Sequence, residues 1–236
     1  MKFGLIVPSS NTTMEAEFCR MASGWATVHT ARMRLRKITV DDLKEMEHMT
    51  IDASMLLADA KVDIIGYGCT SGSFFRGKGH DREIEEKITE ITGIPSVATA
   101  KAVVKALDEL HLSRVCVATP YTEEINRLVK NFLKQDKIEV LKIKGLNIAD
   151  NIEVGSEEPS TAYEMAKDVY TPETQGIFIS CTNFRTIKVI ERLEKELKVP
   201  VISSNIATLW AMMRKAGSEK KIEGYGRLLQ RRNVRS

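Results

Sequence analysis

Two cysteines occupy matched positions in this chain, and their context predicts that they act together. Cys69 ends the run Ile-Gly-Tyr-Gly-Cys and Cys181 ends Ile-Phe-Ile-Ser-Cys, and a threonine follows each of them directly. The thiolate form of cysteine is both a nucleophile and a base. Two thiols on opposite sides of one cleft could therefore attack a substrate from one face and exchange a proton on the other.

Other landmarks repeat at the same interval of 112 positions that separates the cysteines. Pro8 follows an apolar run as Pro120 does, and Thr39 precedes one acidic segment as Asn151 precedes another. The chain therefore has the pattern of two copies of one unit. If the copies pack face to face about a pseudo-twofold axis, the two cysteines meet across a cleft.

Short apolar runs alternate with segments of helical period, which is typical of a parallel sheet covered by helices. A capping box of Thr12 and Glu15 is predicted to begin the first helix. The predicted strands are Phe3–Val7, Thr27–Met33, Val62–Tyr67, Ser96–Val97, Arg114–Ala118, Glu139–Ile143, Gly176–Ser180 and Val201–Ser203.

The repeat predicts two α/β halves whose boundary in space differs from that in sequence. Residues 1–97 plus 205–220 are predicted to form the first half, and residues 98–204 the second. The helical segments Ala98–Leu110 and Asn205–Lys215 would then be exchanged between the halves.

The composition excludes several classes of protein. The chain has 236 residues, of which 43% are hydrophobic and 28% charged, with no apolar run near the roughly 18 residues of a membrane span. A net charge of +3 gives no indication of nucleic-acid binding. The start of the chain has no signal-peptide pattern, so we expect a cytoplasmic protein with reduced thiols and no disulfides.

Four hydroxyl- and amide-rich segments follow predicted strands, at the sheet edge where α/β proteins bind ligands. They carry backbone N–H donors and no acidic side chains, which favours a small anion such as a carboxylate. A phosphate is the competing ligand, but neither a Walker pattern nor a Gly-rich dinucleotide fingerprint follows any strand. These segments are Pro8–Asn11, Cys69–Gly72, Thr119–Thr122 and Cys181–Asn183.

From these segments we predict Cys69 and Cys181 as catalytic residues, with pKa values lowered by backbone donors at helix starts. Cys19 and Cys116 have no such match and are interpreted as core residues. Four scattered histidines give no metal-site pattern, so neither a metal nor a cofactor is expected. The predicted substrate-binding residues are Ser10, Asn11, Thr70, Ser71, Tyr121, Asn151 and Thr182.

At these residues the chain resembles the aspartate/glutamate racemase superfamily, and within it the maleate cis-trans isomerases. The motifs that carry the resemblance are Gly4–Glu15, Gly68–Phe74 and Ser180–Asn183. The resemblance implies two pseudosymmetric flavodoxin-like domains around a cleft, often assembled as a homodimer. It also implies cofactor-free conversion of maleate to fumarate, with Cys69 as the nucleophile and Cys181 as its acid/base partner, although these two roles could be exchanged.

Three alternatives are open at this stage. An amino-acid racemase of the aspartate/glutamate or hydantoin type would use both thiols, but such racemases usually have a histidine beside the second cysteine, where this chain has Asn183 and Phe184. A decarboxylase of the same superfamily would need only one of the two thiols. A non-catalytic binding protein would keep the anion-binding loops and need neither.

Overall fold

The computed structural model describes residues 1–231 and forms these residues into two four-stranded sheets. Each strand lies within two residues of its predicted bounds. The strands are β1 Lys2–Pro8, β2 Thr27–Met33, β3 Ile64–Tyr67, β4 Ser96–Ala98, β5 Arg114–Thr119, β6 Glu139–Gly145, β7 Gly176–Ile179 and β8 Val201–Ser203.

Helices follow and cover the strands, and a short 3₁₀ turn at Leu228–Gln230 comes last among the described elements. The helices are α1 Met14–Met21, α2 Val40–Glu47, α3 Thr50–Asp59, α4 Thr70–Phe74, α5 His80–Thr92, α6 Thr99–Glu109, α7 Glu123–Gln135, α8 Asn151–Ser156, α9 Pro159–Val169, α10 Ile190–Leu197 and α11 Ser204–Lys215.

The two sheets have the same topology. Their strand orders are β2-β1-β3-β4 and β6-β5-β7-β8, and every strand pair is parallel. Even the register repeats: Lys2 pairs with Thr27, and Arg114 pairs with Glu139, each 112 positions further on. The predicted fold of two pseudosymmetric α/β halves is confirmed.

The inner strands are apolar because helices bury them on both faces, as parallel sheets require. Residues 3–8 of β1, residues 115–119 of β5, and β3 and β7 throughout, are buried. The outer strands β2 and β6 alternate between buried and exposed positions. Burial on both faces therefore explains why the inner strands could be recognised in the sequence as apolar runs.

The last helix, α11, packs against the first sheet although it follows the last strand of the second. Lys215 Nζ donates to the Ser96 carbonyl at 2.7 Å, and Thr208 Oγ1 donates to Thr99 Oγ1 of α6 at 3.0 Å. Through Lys215, α11 thus contacts β4 of the first sheet, and the exchange of helices between the halves stays a prediction. The domain bounds of 1–97 plus 205–220 and 98–204 remain a prediction.

The predicted capping box is wrong, because Asn11 takes the capping role. Its Oδ1 accepts hydrogen bonds from the backbone N–H groups of Thr13 (3.0 Å) and Met14 (2.9 Å). Glu15 instead forms an ion pair with Arg32. An amide two to three residues ahead of the free N–H groups satisfies them as a capping hydroxyl would.

Within residues 1–231, no helix is both long and apolar enough to cross a bilayer.

Candidate active site

Cys69 lies at the carboxyl end of β3 and forms the N-cap of α4. Its Sγ accepts a hydrogen bond from Gly72 N at 3.3 Å and lies 3.7 Å from Ser71 Oγ. Ser73 Oγ donates to the Cys69 carbonyl at 2.6 Å, which fixes the backbone of the turn. Cys69 therefore occupies the predicted position, with its sulfur facing backbone donors.

Cys181 lies at the equivalent end of β7, but its backbone differs. Its φ angle is 101°, in a region that residues other than glycine rarely adopt, at a penalty of roughly 1–3 kcal/mol. No helix begins here, since α10 starts only at Ile190. Asn183 N donates to Cys181 Sγ at 3.4 Å, and Cys181 N donates to Ser204 Oγ at 3.1 Å.

The two thiols are buried close to one another. Cys69 is 4% exposed and Cys181 is 5% exposed, and negative charge on Cys69 raises the pKa of Cys181.

The predicted lowering of the thiol pKa values is wrong. Burial raises the pKa of Cys69 from 9.0 to about 11, against the opposing effect of the hydrogen bonds from Gly72 and Ser71. Burial likewise raises the pKa of Cys181 from 9.0 to about 12. Removing a thiolate from water outweighs one or two N–H donors, so both cysteines are neutral thiols near pH 7 in this structure.

Hydrogen bonds join the two cysteine turns across the cleft. Asn11 Nδ2 donates to Thr182 Oγ1, and Thr182 Oγ1 donates to the Gly68 carbonyl, both at 3.0 Å. Thr70 Oγ1 donates to Ser204 Oγ at 2.9 Å, and the same oxygen accepts from Cys181 N. The predicted residues Asn11, Thr70 and Thr182 are thus brought together between the thiols.

Ser10 and Asn151 lie where the loops after β2 and β6 cross over the site. Asn151 Nδ2 donates to Ser10 Oγ at 2.8 Å, and Ser10 Oγ donates to the Leu35 carbonyl at 2.5 Å. The two loops also pair through their backbones, from Ile38 N to the Ala149 carbonyl at 2.8 Å. This pairing joins the halves directly over the predicted site.

Two buried tyrosine hydroxyls near the thiols, those of Tyr121 and Tyr67, have no partner with good hydrogen-bond geometry among residues 1–231. The Tyr121 hydroxyl still lies close enough to Ser180 and Cys181, and that of Tyr67 close enough to Thr50, for weak hydrogen bonding to affect its pKa. Burial raises the pKa of Tyr121 well above 10.0, and negative charge on Cys181 and Cys69 raises it further. The pKa of Tyr67 is raised in the same way by burial and then by Cys69. Each is a neutral donor that a ligand oxygen could satisfy.

Three residues with a place in this site were missed from the sequence: Tyr67, Asn183 as a polar hub, and Ser204. Asn183 Oδ1 accepts from Thr12 N at 2.8 Å, and its Nδ2 donates to the Asn151 carbonyl at 2.5 Å. Ser204 directly follows β8, so the strand-end rule that singled out the other segments would also have found it.

The remaining cysteines differ from each other. Cys116 is buried in β5 beside Thr174 Oγ1, as expected of a core residue. Cys19 is exposed, so its interpretation as core is wrong; it lies on the solvent side of α1. All four cysteines are free thiols, and residues 1–231 contain no cluster of three or more His, Cys, Asp or Glu side chains suited to a metal.

Comparison with known families adds to this geometry. The sequence model of the family described as arylmalonate decarboxylase matches residues 3–229. The chain belongs to the arylmalonate decarboxylase family. Within this family it is 29% identical to a maleate isomerase of Pseudomonas putida, with 97% of this chain and 96% of the relative aligned. It is 26% identical to the arylmalonate decarboxylase of Bordetella bronchiseptica, over 95% of each chain.

Solved structures of similar proteins agree with the fold. A cysteine-to-alanine variant of the maleate isomerase of Pseudomonas putida S16, determined with maleate, superimposes with a TM-score of 0.94 at 29% identity, covering 98% of this chain and 97% of that one. A cysteine-to-serine variant of the Nocardia farcinica maleate cis-trans isomerase, with a covalently bound succinylcysteine intermediate, gives 0.93 at 26% identity, covering 97% and 98%. The expected resemblance to maleate isomerases is confirmed.

Proposed function

We propose that this protein is a maleate cis-trans isomerase that works without a cofactor. The observation that carries the proposal is the pair of buried thiols at matched strand ends, each within electrostatic reach of the other. The predicted binding residues around them are neutral donors, which suits a dianionic substrate because no fixed negative charge opposes it.

The reaction must turn a carbon–carbon double bond briefly into a single bond. In the first step the Cys69 thiolate forms a bond to one alkene carbon, and the π electrons move toward the far carboxylate as an enediolate. Cys181 gives its proton to the second alkene carbon, which leaves a succinyl group on Cys69 and a thiolate at position 181. Rotation about the new single bond then becomes possible.

The second step reverses the first from the rotated geometry. Cys181 takes a proton back from the second carbon, the double bond re-forms as trans, and the bond between carbon and Cys69 Sγ breaks. Atoms and electrons balance: Cys69 releases its proton to water before the addition and regains one after the elimination, Cys181 begins and ends as a thiol, and fumarate has the composition of maleate. No oxidant, reductant or other reactant is consumed.

The donor side chains around the two cysteine turns would hold the two carboxylates. Asn11 and Thr182 lie beside each other, and Asn151 lies against Ser10. The buried Tyr121 hydroxyl would donate to a carboxylate oxygen or to the developing enediolate without adding a charge. Thr70 and Ser71, next to Cys69, would complete the donor set.

Two further features are part of the proposal. The succinylcysteine in the Nocardia farcinica relative supports the covalent step. Cys69 is assigned as the nucleophile from the family resemblance and because it caps a helix. A cytoplasmic homodimer is proposed from the family resemblance, and light scattering coupled to size exclusion would test the dimer.

The direct test uses purified protein, maleate and a thiol reductant, with proton NMR to follow fumarate. The proposal predicts fumarate without any added metal or nucleotide. A parallel sample with phenylmalonate tests decarboxylation, the activity named for the family. Release of carbon dioxide from phenylmalonate, with no fumarate from maleate, would assign the chain to the decarboxylases instead.

A further inference from the structure

The pseudo-twofold repeat places different residues behind the two cysteines. Behind Cys69 the turn packs on apolar side chains: Thr70, Phe74, Ala100 and Val129 line one small apolar cavity. At the positions equivalent to Phe74 and Val129, 112 away, stand Thr186 and Glu17. The side chains packed against the Cys69 turn are therefore mostly apolar, whereas those packed against the Cys181 turn include the carboxyl group of Glu17.

Glu17 is a buried member of α1 that joins three separate pieces of chain. Its Oε1 accepts hydrogen bonds from Thr186 N at 2.8 Å and Ile187 N at 3.2 Å. Its Oε2 accepts one from Asn205 Nδ2 at 2.6 Å. Asn205 Nδ2 also donates to the Thr182 carbonyl at 3.1 Å, which connects Glu17 to the residue after Cys181.

The donor pattern around Glu17 suits a carboxylate. Asn205 Nδ2 faces two acceptors, the Glu17 carboxyl and the Thr182 carbonyl. The hydrogen bonds from Thr186, Ile187 and Asn205 are all donated to the Glu17 carboxyl. Burial nevertheless raises the pKa of Glu17 above 4.5, against the opposing effect of these donors and of Arg20.

We propose that Glu17, through Asn205, is a positioning residue that holds the strained Cys181–Thr182 turn in its reactive geometry. The φ of 101° at Cys181 persists only if neighbouring contacts enforce it. Ser204 Oγ holds the N–H group of Cys181, and Asn205 Nδ2 holds the carbonyl of Thr182, so the two bonds flank this dipeptide. Cys69 has an ordinary φ of −140°, so its turn, where Ser73 Oγ bonds the Cys69 carbonyl, carries no such strain. The catalytic part of this inference rests on the proposed isomerase function.

The test compares Glu17→Gln and Asn205→Ala with a matched control, Glu194→Gln. Glu194 is also buried and accepts backbone bonds from Val201 N and Arg227 N, but it lies by the start of β8, away from the cysteines. In each folded variant, alkylation of Cys181 and Cys69 by iodoacetamide is followed against pH by peptide mass spectrometry. This readout needs no substrate, so it remains informative even if maleate is not turned over.

We expect Glu17→Gln and Asn205→Ala to speed Cys181 alkylation at pH 8 by about fivefold or more, since the released thiol gains water and titrates nearer its usual range. Cys69 should stay within about twofold of wild type, and Glu194→Gln should leave both rates unchanged. With maleate, kcat should fall by about tenfold or more with KM changed less, consistent with a displaced acid/base group.

Three results would overturn the inference. One is an unchanged Cys181 profile in folded Glu17→Gln and Asn205→Ala. Another is an equal change at Cys181 in Glu194→Gln. A third is failure of both network variants to fold while Glu194→Gln folds, which would make the network a requirement for folding rather than for the turn.

Discussion

At the scale of single residues, the account depends on two thiols with different surroundings. Replacing either with serine, by Cys69→Ser or Cys181→Ser, should lower maleate turnover by about 10³-fold or more, since hydroxyls neither add to the alkene nor exchange its proton as thiols do. Cys19→Ser is the control: Cys19 is exposed on α1, so its replacement should leave maleate turnover unchanged. Near-normal turnover in either active-site variant would refute the two-thiol mechanism.

The raised pKa values make turnover sensitive to pH. The Cys69 thiolate is scarce at neutral pH because the pKa of Cys69 is about 11, and its fraction grows as the pH rises. We therefore expect kcat/KM to increase between pH 7 and 9, measured at constant ionic strength. A flat profile across this range would contradict a nucleophile that must first lose its proton.

Residue identities could be predicted from the sequence, but their ionisation could not. Strand ends and the repeat pointed to Cys69, Cys181 and several of their hydroxyl and amide neighbours, although Asn183 and Ser204 were missed. The direction of the pKa shifts was wrong because it depends on how completely the folded chain excludes water from the sulfurs. Glu17 was missed for a similar reason: an acid on a helix is usually exposed, and only the packing of α1 on residues 186–187 buries it.

At the scale of elements, the short helix α8 must pass close to the site loops. A Cβ on Gly155 would lie 2.5 Å from Thr12 Oγ1 and 2.9 Å from Asn183 Nδ2, and Asn183 is held in place by its bonds to Thr12 and Asn151. Gly155→Ala should therefore separate these loops and lower kcat/KM by about tenfold, a penalty typical of small displacements at an active site.

Ile152→Ala is the matched control for Gly155→Ala, since Ile152 is on the exposed face of the same helix. Both variants should be followed by steady-state kinetics and thermal unfolding. Equal effects of the two on kcat/KM would mean that the close approach at Gly155 has no part in the site.

The elements themselves were largely predictable. Strands showed as apolar runs because burial on both sheet faces leaves few polar positions. The start of α1 was misassigned because Asn11 and Thr12 are both good capping residues. In the folded chain Asn183, from the other half, accepts a hydrogen bond from Thr12 N, and Asn11 caps the helix. Contacts between distant segments decide such cases, and no local pattern contains them.

At the scale of the whole molecule, the buried thiols link stability to pH. Their folded pKa values of about 11 and 12 exceed the usual 9.0, so the folded state holds these protons more tightly than the unfolded chain. This contribution is complete below pH 9 and is lost as the pH rises toward 11 and 12. The free energy of unfolding in urea should therefore fall between pH 8 and 10.5.

The double variant Cys69→Ser with Cys181→Ser isolates this effect from other groups that titrate in the same range, such as Tyr67 and Tyr121. Its unfolding free energy should fall less steeply with pH than that of wild type. Parallel curves for the two proteins would mean that the thiols are not held neutral by burial.

The arrangement of the halves was predictable because the chain repeats itself. An interval of 112 residues relates the cysteines, the first strands and the strand pairings, and it implied a cleft before any contact was known. What the repeat could not predict is the asymmetry: equivalent positions carry Val129 and Glu17, and only the folded structure relates that difference to the two thiols.

The most direct test of the central claim is a mass measurement on the Cys181→Ser variant incubated with maleate, with peptide mapping of the product. We predict one added maleate mass on the peptide that contains Cys69, in a variant that forms little or no fumarate. An adduct on no peptide, while wild-type protein converts maleate to fumarate, would contradict Cys69 as the nucleophile and with it the proposed mechanism.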